Sequence, residues 1–132
     1  MVIIDTSVWI DFLQGRETKQ VLKLEELLSE ETDIFITGII YQEILTGIKA
    51  KKEREKVKTE LEHFVLVNPS LDTHIQTAEI YDGCKRKGFT IRSIIDCLIA
   101  AIALEYDLTI LENDKDYSFI SEVYPLKTFR IK

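Results

Sequence analysis

The sequence predicts an α/β fold, with a central, mostly parallel sheet covered by helices on both faces. Three observations carry this. Short apolar runs such as Val2-Ile3-Ile4, Phe64-Val65-Leu66-Val67 and Leu108-Thr109-Ile110-Leu111 alternate with longer stretches of helical periodicity. Capping residues and glycines punctuate the boundaries between them. With 132 residues, 45% of them hydrophobic, the chain can bury a core without disulfide or metal staples, and residues 1–132 are expected to form one domain.

The elements follow in order. Val2-Ile3-Ile4 is a short buried strand. Thr6 or Ser7 caps a helix through about Leu13, ended by Gly15. Val21, Leu24, Leu27 and Leu28 lie on one side of a second helix. Asp33 to Thr37 is strand-like, and Thr37 can cap a helix to about Ile48. A Lys/Glu-rich helix covers about Lys52 to His63. The strand Phe64 to Val67 is stopped by Asn68-Pro69. Ser70 or Asp72 starts a helix that reaches Gly88, and Ser93 starts a very apolar one that reaches about Tyr106. Leu108 to Leu111 is a strand, Asn113 to Tyr117 a loop entering a short helix, and Lys127 to Ile131 the last strand.

Composition narrows the function. The formal net charge is −6, which counts against a bulk electrostatic nucleic-acid binder. The charge is uneven, however. Lys49 through Lys58 holds six basic and two acidic residues, and Lys85, Arg86, Lys87 and Arg92 form a second basic stretch. Two basic patches on an acidic body can hold a polyanion beside an acidic pocket. Cys84 and Cys97 lack metal-type spacing and suit buried thiols in a reducing cytoplasm. The chain opens on a strand-like run rather than a signal peptide, and no apolar stretch reaches the roughly 18 residues of a membrane span.

Asp96 is the most informative residue. It is the only charge in Ser93 to Leu104, and burying an unpaired carboxylate there would cost several kcal/mol. Asp5 follows the first strand, Glu43 lies in an apolar helix, and Asp114 follows Leu108 to Leu111. Ligands in parallel sheets bind beyond the carboxyl ends of the strands, so Asp5 and Asp114 are sent to one rim. Each acid has a simpler explanation as well: Asp5 as a helix cap, Ser93-x-x-Asp96 as a capping box, Glu43 as a solvated boundary residue. Together they suit a hard divalent cation, which takes oxygen ligands. Paired metals can activate water for phosphodiester hydrolysis. His63 and His74 are isolated, the glycines form no phosphate loop, and Ser7 has no histidine to activate it.

Ile4-Asp5-Thr6-Ser7-Val8-Trp9-Ile10-Asp11, Glu43 within its helix, Ile95-Asp96-Cys97-Leu98-Ile99-Ala100-Ala101 and Asn113-Asp114-Lys115-Asp116-Tyr117 resemble the ordered acidic motifs of PIN-domain ribonucleases. Within that family the likeness is to VapC-type toxins of prokaryotic toxin–antitoxin modules, and it spans essentially the whole chain. The resemblance implies a three-layer α/β/α fold and RNA cleavage dependent on Mg²⁺ or Mn²⁺. It implies a cognate antitoxin as partner and a homodimer. By position, Asp5, Glu43, Asp96 and Asp114 would be the catalytic and metal-binding quartet, and Asp116 an auxiliary acid. Thr6 or Ser7 would hold a carboxylate or a coordinated water. Arg92 would meet RNA phosphate or an inhibitor's acidic side chain. Glu112 stands where the family often has threonine. Two other readings remain: a phosphoacceptor receiver-type signalling domain, and a catalytically silent PIN-like module that binds RNA or protein.

Overall fold

A computed structural model describes residues 1–131. The elements are β1 (Val2–Ile4), α1 (Thr6–Leu13), α2 (Lys19–Ser29), β2 (Ile34–Thr37), α3 (Gly38–Thr46), α4 (Lys51–Leu61), β3 (Val65–Val67), α5 (Leu71–Arg86), α6 (Ile94–Tyr106), β4 (Thr109–Leu111), α7 (Lys115–Val123) and β5 (Lys127–Thr128). The five strands form one parallel sheet in the order β3-β2-β1-β4-β5.

This order explains the layers. From β1 the chain steps outward to β2 and β3. It then crosses back beyond β1 to β4 and continues to β5. Crossovers between parallel strands are right-handed, so opposite directions of travel put their helices on opposite faces. Helices α1 to α4 cover one face, and α5, α6 and α7 the other. The main core joins β1, β2 and β4 to apolar residues of α1 to α4, with Ile99, Ile102 and Ala103 of α6 closing it from the far side. A second cluster, including Ile80, Cys84, Ile91, Cys97 and Ile120, binds α5, α6 and α7 together. Both cysteines are free and buried there, and burial pushes the Cys97 thiol up to about 12.

The differences from the sequence expectation are local. Asp5, rather than Thr6 or Ser7, caps α1. The last strand spans Lys127–Thr128 instead of reaching Ile131. It pairs with Thr109 and Ile110 of β4, and the ladder closes there, with the Phe129 N–H donating to the Ile110 carbonyl at 3.2 Å. The short helix expected after Asn113 is the nine-residue α7.

The end of α5 sets the path into α6. Gly88 has φ +92. Its N–H reaches the Lys85 carbonyl at 3.0 Å, and the Phe89 N–H reaches that of Cys84 at 2.9 Å. This paired closure needs a residue at ease in left-handed backbone, which glycine supplies. It turns the chain so that Phe89 to Arg92 run to the start of α6. Among the described residues, no helix is long and apolar enough to cross a membrane.

Candidate metal centre

The neighbours β1 and β4 have connections that leave in opposite directions, which opens a crevice at their carboxyl ends. Asp5 follows β1, and Glu112, Asn113 and Asp114 follow β4. The Asp5 N–H donates to the Leu111 carbonyl at 2.9 Å, which ties the two strand ends together.

Asp5 performs two tasks at once. Oδ2 caps α1, accepting from the Ser7 N–H at 3.4 Å and the Ser7 hydroxyl at 2.9 Å. Oδ1 accepts from the Tyr117 hydroxyl at 2.7 Å. That hydroxyl also lies 3.2 Å from Oδ1 of Asp96, so one buried phenol bridges two carboxylates from distant parts of the chain. Glu43 stands one link further out: the Thr6 hydroxyl donates to its Oε1 at 2.7 Å.

The capping box anticipated at Ser93-x-x-Asp96 does not form; the Ser93 side chain makes no capping bond. The backbone N–H groups of Arg92 and Ser93 donate instead to Asp116, at 3.3 and 3.1 Å. Asp116 of α7 thus takes, from across the fold, the Ser93 N–H that a capping box would have given to Asp96. Asp96 is released from that duty and turns inward, 7% exposed, and its Oδ2 finds no hydrogen-bond partner among the described residues. Asp114 caps α7, accepting from the Asp116 N–H at 2.9 Å, while its own N–H donates to Glu112 at 2.9 Å.

Asp96, Asp114 and Asp116 each offer an oxygen within 4.8 Å of the others. Such crowding is costly without a cation. Burial, first, then the adjoining Asp116 carboxylate and the charges of Asp5 and Asp114 raise the Asp96 carboxyl from the ordinary 3.8 to about 8. Burial also raises Glu112, partly offset by the Asp114 N–H and reinforced by the charges of Asp5 and Asp114. Clustered carboxylates with one orphaned buried oxygen fit a hard divalent cation, which binds oxygen and neutralises the repulsion.

Arg92 is exposed and lines a cleft of about 450 Å³ that shares Asp114 and Asp116 with the carboxylate group. Trp9 is 2% exposed and packs on Phe12 and Phe64, so it belongs to the core. The receiver-type reading finds no support: β3 is the edge strand and runs into Asn68-Pro69. Tyr117 is the functional residue that sequence reasoning missed. The sequence signals only that a tyrosine on the apolar side of a helix beside Ile120 needs some partner for its hydroxyl when buried, and not which one.

One consequence concerns Asp116. At pH 5 Asp96 holds its proton, and the bonds from the Arg92 and Ser93 N–H groups to Asp116 outweigh the repulsion. Asp116→Ala is expected to lower stability in chelator at that pH by about 1–3 kcal/mol, whereas Asp96→Asn is near neutral there. Denaturant titrations of both variants check the contrast.

Comparisons with known proteins bear on the family and the fold. A family model described as PIN domain matches residues 2–123. VapC ribonuclease Mb1587 of Mycobacterium bovis is 35% identical over 133 residues, covering 96% of each chain. Ribonuclease VapC11 of Mycobacterium tuberculosis matches to the same extent, 35% over 96% of each chain. Among solved structures, VapBC2 from Rickettsia felis bound to a promoter DNA fragment superposes with a TM-score of 0.76 at 20% identity, covering 98% of each chain. FitAcB from Neisseria gonorrhoeae gives 0.75 at 22% identity, covering 98% of this chain and 97% of its own. At these identities the two structures speak for the fold.

Proposed function

The chain belongs to the PIN domain family, and on that footing we propose that it is a metal-dependent endoribonuclease, the toxin of a toxin–antitoxin pair. It acts as a single domain spanning residues 1–132, in the cytoplasm. The observation that carries the reading is the convergence of Asp96, Asp114 and Asp116 at the strand-end crevice, with Asp96 Oδ2 unpartnered.

Asp96, Asp114, Asp116 and Asp5 would hold Mg²⁺, with Mn²⁺ as a substitute. When bound, the cation polarises the phosphoryl group and makes water a stronger nucleophile at neutral pH. The chain's own residues do the rest. Tyr117 keeps Asp5 and Asp96 at a fixed spacing, Ser7 fixes the other Asp5 oxygen, and Thr6 orients Glu43 toward the pocket's edge. Arg92 and Lys115 flank the cleft and hold the RNA backbone. Total RNA should be cleaved in Mg²⁺, but not in chelator and not by Asp96→Asn. Cleavage that survives both changes defeats the proposal.

An antitoxin has a seat available. Ile10, Leu13, Ile44 and Ile48 line a groove of about 240 Å³ between α1, α3 and α4. Thr6 and Glu43 lie one helical turn from Ile10 and Gly47, so a peptide anchored in the groove can extend a charged side chain to the carboxylates. A cognate complex is expected to lose cleavage. Full activity in the complex rules out this mode of inhibition.

A homodimer is also proposed. The edge strand β3 exposes Val65 and Leu66, and α5 exposes Leu71 and Ile75. Sedimentation equilibrium at tens of micromolar should give twice the 15.3 kDa chain mass. A lone 15.3 kDa species is the contrary result.

A further inference from the structure

The cleft beside the carboxylates carries more than acids. Phe119 lines it, 36% exposed, and its ring stacks on Phe89 with centroids 5.4 Å apart and planes 22° from parallel. Two elements build this pair. The glycine turn at the end of α5 delivers Phe89. Phe119 stands one helical turn after Lys115 and Asp116 on α7, on the side that faces the cleft. Arg92 and Lys115 line the same cleft, both exposed and without an ion pair among the described residues.

An exposed phenylalanine that shares a cleft with two exposed cations and two of the clustered carboxylates has little structural purpose. Phe119 is not part of the second apolar cluster, to which α7 contributes the fully buried Ile120 instead. The combination matches single-stranded nucleic acid, whose unstacked bases lie on aromatic rings while cations hold the backbone. Need points the same way. At a net charge of −6 the chain has no bulk attraction for RNA, so local contacts must hold the substrate.

We propose that Phe119, supported by Phe89, is a base-stacking subsite that seats an unpaired nucleobase of RNA next to the phosphate to be cleaved. It selects single-stranded segments over duplex, because a base stacked in a helix cannot reach the ring. The subsite rests on the ribonuclease reading, and the test separates the two.

The probe is a short unstructured RNA with one 2-aminopurine at successive positions, in Ca²⁺ to slow cleavage. Parent protein quenches the fluorophore at one position. Phe119→Ala weakens binding by roughly 5- to 150-fold. Phe119→Leu, which keeps an apolar contact with Phe89, loses the quenching, and Phe119→Trp restores it. Equal Kd and equal quenching in parent and Phe119→Leu overturn the subsite, as does a parent that binds no RNA. A parent that binds and quenches but never cleaves in Mg²⁺ defeats the nuclease reading and leaves the subsite standing. A parent that cleaves, with Phe119→Leu matching it in both KM and kcat, defeats the subsite alone.

Discussion

Asp96→Asn will stabilise the metal-free protein at pH 8 while abolishing its RNA cleavage. Function and stability move in opposite directions because the carboxylate is held where the empty fold disfavours its charge. Burial and three neighbouring acids raise its pKa from 3.8 to about 8, a ceiling on the order of 5 kcal/mol if the charge is forced in place. Asparagine keeps an acceptor for Tyr117 and carries no charge, but its amide needs partners of its own. The net gain should be roughly 1–4 kcal/mol in chelator at pH 8. Mg²⁺ should then raise the parent's melting temperature far more than the variant's, since a ligand stabilises only by its affinity for the folded state. Even outer partners of metal ligands cost 10–100-fold when lost, so removing a ligand should slow cleavage by at least about 100-fold. If Asp96 only served the helix dipole, the variant would lose about 0.3–1 kcal/mol and respond to Mg²⁺ as the parent does. Thermal melts in chelator and in Mg²⁺ separate these outcomes.

The second large effect is on pH. Asp96 ionises near 3.8 in the unfolded chain and near 8 in the folded one. Below 3.8 both states hold the proton, and the contribution to stability is complete. Between these values the unfolded chain releases its proton and the folded chain does not, so rising pH favours unfolding. The loss is finished above about 8. Parent stability in chelator should therefore fall from pH 5 to pH 8 relative to Asp96→Asn, and the difference isolates Asp96 from Glu112 and the other acids. A bound cation needs the charged carboxylate, so Mg²⁺ binding at pH 7 should release about one proton. Calorimetry in buffers of different ionisation enthalpy measures it. A parent and variant with parallel pH profiles would remove the basis for both effects.

Much of this architecture was legible because it is written in short-range patterns. The apolar runs at Val2–Ile4 and Thr109–Leu111, and the cap at Ser70, depend on neighbours within a turn. The lone charge in α6 announced the pocket for the same reason. What was not legible depends on partners far away in sequence. Ser93 and Asp96 have the spacing of a capping box, yet Asp116, 23 residues beyond Ser93, takes the N–H groups first. A local motif cannot reveal a competitor from another helix. Tyr117 escapes a local reading because its partners lie after β1 and on α6. The last strand is shorter than its apolar pattern because only Lys127 and Thr128 find partners on β4, a contact outside the local sequence.

The phenol bridge also has a bearing on synthesis. Tyr117 lies 112 residues from Asp5, and β1, the central strand, gains β4 as its neighbour only when the chain is nearly finished. Ribosomes add about 5–20 residues per second, N-terminus first. For most of that interval Asp5 is made and its pocket is not. A message abandoned midway yields a fragment with none of the three clustered acids, and a protein clipped just before α7 lacks Tyr117, its bridge and Asp116. The groove formed by residues 10 to 53 is made long before them. The order of translation thus completes the groove proposed for the antitoxin ahead of the carboxylate cluster proposed to hold the metal.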